Sequence, residues 1–218
     1  MRRFFEMALA LTVLVPWASA GRSADENVKL VPEEGAVEVM LLRQPSVQKE
    51  LKLTDDEAEK ILAHANKQWK AAHEASKLDA TARDKKFAEM TKENEQFLNA
   101  TLETEQRKRL DQITLQVAGL LCVTRPHVAS KLALTDEQKQ RATQFQKEAR
   151  AEMEALIHTE NDETKQEKLL ELRQTSRKRL LDLLTDKQEA TWKELTGAPF
   201  KGEILFDHGV ATKTAGAN

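Results

Sequence analysis

Apolar residues recur every three or four positions along most of the chain. From Thr54 one stripe takes in Ala58, Ile61, Leu62, Ala65, Trp69 and Ala72. A second, from about Thr81, takes in Phe87, Met90, Asn94, Phe97 and Thr101. A third, from about Thr104, uses Leu110, Ile113, Val117 and Leu120. Further on, Ala142, Phe145, Ala149, Met153 and Leu156 form one stripe, and Leu169, Leu172, Ser176, Leu180 and Leu183 another. Trp192 and Leu195 fall on a last short one. This spacing is that of amphipathic helices, with Lys, Glu, Gln and Arg crowding the remaining faces. The pattern predicts a helix over Asp55–Leu78 and joints near Leu78–Thr81 and His158–Glu163, where polar residues interrupt the stripes.

Glycine and proline sharpen the picture by their absence. Neither occurs from Ser46 to Ala118 or from His127 to Thr196. Stretches this long without turn-formers argue against an all-β fold and against a glycine-rich nucleotide-binding loop. The expected class is all-α. It is built of two tandem long helical hairpins with short flanking helices, elongated and related by a pseudo-twofold.

The two halves are copies. Residues 44–57 (QPSVQKELKLTDDE) align with 125–138 (RPHVASKLALTDEQ) at an offset of 81. Leu102 and Gln106 align with Leu184 and Gln188 at an offset of 82. In each half a proline, Pro45 or Pro126, suits the first turn of a short helix, where its missing N–H costs nothing. A Leu-Thr-Asp sequence then opens a long helix. Thr54 with Glu57, Thr135 with Gln138 and Thr185 with Gln188 each have the spacing of a capping box. The hydroxyl accepts from the third helical N–H and the Glu or Gln reaches back to the Thr N–H. An Asp follows each of these threonines, on the side the helix dipole favours.

The chain therefore divides into residues 21–43, an N-terminal segment with a short helix; 44–122 and 125–197, the two repeats; and 198–218, a flexible tail. Four of the seven glycines lie in 197–218, yet Phe200, Ile204, Leu205 and Phe206 give it the means to dock. Residues 1–20 read as a secretory signal peptide. Arg2 and Arg3 precede the apolar run Met7–Trp17, and Ala18-Ser19-Ala20 supplies a cleavage site. The run is too short to span a bilayer, and no later stretch is long enough. The expected location is the periplasm or outside the cell. Loss of the leader moves the formal charge only from −2 to −3. A mixed, near-neutral chain has no global field for nucleic acid.

Leu-Thr-x-x-Gln at helix starts, in a secreted chain rich in Lys, Glu and Gln, resembles the LTxxQ-motif periplasmic proteins of the Spy and CpxP type. Leu134-Thr135-x-x-Gln138 and Leu184-Thr185-x-x-Gln188 are complete. Leu53-Thr54-x-x-Glu57 has Glu in the Gln place. In Leu102-x-x-x-Gln106, Glu103 replaces Thr, so Thr101 or Thr104 is a candidate substitute cap. The family typically carries two motifs per chain and forms a concave antiparallel dimer, so four motifs look like two family units in one chain. A further homodimer stays open. The resemblance implies an ATP-independent chaperone, a negative regulator of envelope stress, or a metal-responsive periplasmic protein. Its partners would be unfolded or partly folded envelope proteins, or a regulatory membrane protein.

Candidate chemistry is sparse. The sequence holds no P-loop, GxSxG or HExxH, and its acidic residues alternate with lysine as on solvated helix faces. The expectation is a protein without catalytic residues, cofactor or metal. His64 and His73 are nine apart and cannot share an ion on one helix, while His127, His158 and His208 lie elsewhere. A metal-responsive sensor would need histidines from both halves to converge. Cys122, the single cysteine, excludes a disulfide framework and reads either as a small buried hydrophobe or as a site of intermolecular pairing. Arg107 and Arg109, and Arg177 and Arg179, flank Lys108 and Lys178 in two basic triplets. They are either solvated helix surface or the cationic rim of a client-binding cradle. Three functions stand open: a client-binding module, a metal-responsive sensor, and a structural envelope component.

Overall fold

The structure, a computed structural model, describes residues 35–157 and 162–204; the side chains of several residues between 153 and 173 lie outside the description. The expected leader, His158 and the tail beyond Ile204 lie outside the described residues. The fold is all-α. Among the described residues there are nine α-helices and no strand. They are α1 (Ala36–Leu42), α2 (Pro45–Glu50), α3 (Asp55–Ala75), α4 (Ala80–Thr101) and α5 (Thr104–Ala118). A 3₁₀ turn, Gly119–Leu121, precedes α6 (Pro126–Lys131), α7 (Asp136–Ile157), α8 (Asp162–Leu183) and α9 (Asp186–Thr196). None of the helices is long and apolar enough to cross a membrane. Two compact units divide the described residues between Asp111 and Gln112, within α5.

In the first unit, α1 lies against α2, α3 and α4 and buries Val37, Val39, Leu41 and Leu42. It starts at Gly35, whose φ of 85° suits a residue without Cβ; a Cβ there would come within 2.7 Å of that of Asn94. Glu38 reaches back to accept the Gly35 N–H at 2.9 Å. Pro45 opens α2 as expected. α3 and α4 pair antiparallel, as the contacts His64–Asn94 and Gln68–Glu93 require. Towards their joint Ala72, Ala75, Phe87 and Met90 make one apolar cluster.

The real stripe of α3 differs from the expected one. Ile61, Ala65, Gln68, Ala72 and Ala75 are buried, while Ala58, Leu62 and Trp69 are only half-buried. Gln68 takes the inner position with its Nε2 donating to Glu93 at 3.0 Å, which offsets part of the cost of burial, while its Oε1 is buried without a partner. Trp69 sits at the margin, stacked on His73. On α4 Leu98 is buried and Phe97 half-buried. The helix expected to reach Leu78 ends at Ala75, and Asp79 caps the next by accepting from the Ala82 N–H at 3.0 Å.

In the second unit α7 packs along α8, and both meet the 3₁₀ turn. Ala142, Ala149, Leu172, Leu180 and Leu183 are buried as the stripes predict, and Phe145, Ser176 and Leu195 are half-buried. The side chains of Met153, Leu156 and Leu169 lie outside the description. Gln146 is fully buried and fully used, donating to Leu120 O at 2.8 Å and to Thr124 Oγ1 at 3.0 Å. After α9 the first residues of the expected loose tail are docked. The Gln116 amide donates to Thr196 O at 2.6 Å and Ala198 O at 2.9 Å, and accepts the Phe200 N–H at 2.7 Å. Phe200 and Ile204 are buried.

The two short helices α2 and α6 end alike. Lys52 and Ala133, matched at the repeat offset, have φ of 54° and 48°. Leu53 N–H donates to Gln48 O and Leu134 N–H to Ala129 O, each at 3.0 Å. The left-handed residue with its backward bonds is the helix stop that usually employs glycine. Alanine in this conformation is strained by roughly 1–2 kcal/mol, part of which glycine's greater freedom in the unfolded chain cancels. Ala133→Gly should therefore stabilise the protein by roughly 0.5–1 kcal/mol. A thermal melt raised by a few degrees checks this, and an unchanged or lowered midpoint contradicts it.

Candidate functional site

The motif residues converge at the base of each unit, where a helix start meets the chain leaving the preceding short helix. In the second unit both boxes close. Thr135 N–H donates to Gln138 Oε1 at 3.0 Å, and Gln138 N–H to Thr135 Oγ1 at 3.2 Å. Thr185 N–H donates to Gln188 Oε1 at 2.9 Å, and Gln188 N–H to Thr185 Oγ1 at 3.4 Å. Each glutamine then does something a cap does not require. Gln138 Nε2 donates to Leu183 O at 2.8 Å, just before the other motif. Gln188 Nε2 donates to Leu132 O at 3.1 Å, just before its own counterpart. The two amides also bond each other in both directions, at 2.7 and 3.0 Å. One side chain thus accepts within its own helix and donates across the unit, which a carboxylate cannot do.

The first unit holds a reduced version. Thr54 with Glu57 closes a box, Thr54 N–H donating to Glu57 Oε2 at 2.7 Å and Glu57 N–H to Thr54 Oγ1 at 3.3 Å. Glu57 only accepts. In the degenerate motif Gln106 keeps its half of the box, accepting the Glu103 N–H at 2.8 Å. It also keeps the cross-tie, its Nε2 donating to Leu51 O at 3.3 Å. Leu51 and Leu132, the carbonyl partners, are repeat equivalents. The motif leucines Leu102 and Leu134 are buried, and Leu53 and Leu184 half-buried.

Three of the four candidate arginines are engaged by the protein itself. Arg107 has a side chain 22% exposed and pairs with Glu95 at 3.2 Å and Asp111 at 3.1 Å. Burial opposes its charge, but Asp111, Glu95 and Glu38 outweigh that, so its guanidinium is held above the ordinary arginine range. Arg109, 18% exposed, donates to Glu50 through Nε at 2.9 Å and Nη2 at 2.7 Å. Arg179, 26% exposed, pairs with Glu148 at 3.3 Å and lies over the Phe145 ring. Arg177 is exposed, as are Lys108 and Lys178. The spacing that put the triplets on helix surfaces is blind to the carboxylates that adjoin three of them.

The remaining reactive residues are sequestered or dispersed. Cys122 is a fully buried thiol. Near it Arg150 has Nε and Nη2 buried without hydrogen-bond partners. Burial pushes its pKa down to about 10, with the Cys122 thiol acting in the opposite sense. No cluster of three or more His, Cys, Asp or Glu among the described residues is arranged to hold a metal ion. His64 bonds Asn94 Oδ1 through Nε2 at 2.9 Å and stacks on Phe97, rings 3.9 Å apart. No family model, curated protein or solved structure matches this chain.

Two outcomes follow from this geometry. Gln188→Ala removes a box partner, a cross-tie and one side of the amide pair. It should cost about 2–3 kcal/mol, read from denaturant unfolding. A loss below about 0.5 kcal/mol, the size of an ordinary surface change, would show that the cross-ties contribute nothing. Burial holds His64 below the ordinary value of 6.5, with the Asn94 bond opposing. Its contribution is therefore full above pH 6.5 and is lost as pH falls through the lowered folded-state value. His64→Gln should flatten the stability–pH curve across that window, which a series of melts at stepped pH would reveal.

Proposed function

We propose that this protein is an exported, non-enzymatic binding protein of chaperone-like action, with two motif-bearing helical units in tandem. The observation that supports this best is the set of Thr-headed boxes at Thr54, Thr135 and Thr185, joined to a leader-like N-terminus. That combination carries the resemblance to LTxxQ proteins.

The surface suits the reading. Leu62 and Trp69 on α3, Phe97 on α4 and Phe145 on α7 are half-buried, and Leu78 is 44% exposed. The first four lie on helices whose outer faces are densely charged, and Leu78 lies in the turn between α3 and α4. Such mixed surfaces favour many weak, fast contacts over one tight complex, because apolar area is small and exposed charges are screened. With Arg107, Arg109 and Arg179 held by carboxylates, the cationic contribution falls to Arg177, Lys108 and Lys178.

The purified protein should suppress aggregation of an unfolding substrate at near-stoichiometric ratio without ATP, measured by light scattering. Undiminished aggregation at several-fold excess of the protein overturns the proposal. Recovery from the periplasm of one stable partner in fixed ratio, with no such suppression, points instead to the regulatory or structural role.

A further inference from the structure

The two bases are held by different forces. In the second unit the Gln138–Gln188 amide pair and its ties to Leu183 O and Leu132 O are all uncharged. At the matched place in the first unit Glu57 has no amide hydrogens to offer, and a neutral tie runs from Gln106 Nε2 to Leu51 O. What reinforces it is an ion pair, Arg109 to Glu50, between α5 and α2. That pair has no counterpart: the repeat equivalents of Glu50 and Arg109 are Lys131 and Thr191. Lys131 is exposed, and the Thr191 hydroxyl donates to Lys187 O within its own helix.

We propose that the base of the first unit is a salt-sensitive latch, and that the base of the second is a permanent clamp. The Arg109–Glu50 pair is partly exposed, with side chains 18% and 39% accessible, so mobile ions reach it. Between about 0.01 M and about 1 M salt the screening length falls from roughly 30 Å to roughly 3 Å. The amide pair feels none of this. When the ion pair weakens, the hold between α2 and the start of α5 loosens, with the Gln106 tie and packing still in place. Opening there bares Val47, Leu51, Leu102 and Leu110, all buried when the latch is shut. Glu57, standing where the second unit has Gln138, is what leaves room for this opening, since it lacks the donor that closes the other unit.

Hydrogen exchange on the full chain, followed peptide by peptide at low and high salt, tests the latch. Amides in 51–57 and 103–109 should exchange faster than those in 132–138 and 185–191, and salt should accelerate only the first group. Glu57→Gln, which restores the missing donor, should slow exchange of the first group by roughly tenfold. Arg109→Gln should raise low-salt exchange to the high-salt rate and abolish the salt response. Matched amides that exchange alike at both salt concentrations overturn the proposal. So does a Glu57→Gln protein whose rates and salt response equal those of the parent.

Discussion

A helix start leaves N–H groups without partners, and the short helix before it leaves carbonyls without partners. Both deficits occur side by side at the base of each unit. The primary amide of glutamine meets both, because it carries an acceptor and two donors on one planar group. Gln188 accepts from Thr185 N–H while donating to Leu132 O and to Gln138. The remaining local features serve that arrangement. Pro45 and Pro126 start α2 and α6, and Lys52 and Ala133 turn the chain back left-handed, which delivers Leu51 O and Leu132 O to the waiting amides.

The two bases meet this constraint differently. At the start of α5 Glu103 stands where the other three motifs have threonine. Gln106 is retained there, with both its local acceptor role and its cross-tie. Glu57 shows the opposite trade. It preserves the box, which needs only an acceptor, and gives up the donation. The first unit then draws on charge, through Arg109 with Glu50 and Arg107 with Glu95 and Asp111. Arginines that resemble a cationic binding face by their spacing are thus part of what holds the helices in place. A functional surface on this protein has to be sought among its half-buried apolar residues and the charges left outside those pairs.

Much of this was legible in the sequence. Helix content follows from three-four periodicity and from long stretches free of Gly and Pro. The repeat follows from identities at offsets of 81 and 82, and the boxes at Thr54, Thr135 and Thr185 follow from Thr and Glu or Gln three residues apart. These are short-range properties: a cap is satisfied within one turn, and a stripe is fixed by the geometry of one helix. Ile61, Ala65 and Ala72 of the expected α3 stripe are buried, but at one turn the inner position is Gln68 and not Trp69. Apolarity ranks Trp69 above Gln68, and the bond from Gln68 Nε2 to Glu93, which offsets part of the cost of burying the glutamine, joins two different helices.

What the sequence could not determine concerns partners far apart along the chain. Gln138 meets Gln188, Gln106 meets Leu51 O, and Gln116 grips the backbone at Ala198 and Phe200. Each bond joins residues 50 or more positions apart, and no local rule assigns them. The sequence determined that there would be capped helices in two related sets. The tertiary structure decided that the capping amides also join their elements, because a side chain's second hydrogen-bonding group is committed only when folding brings a partner within about 3 Å.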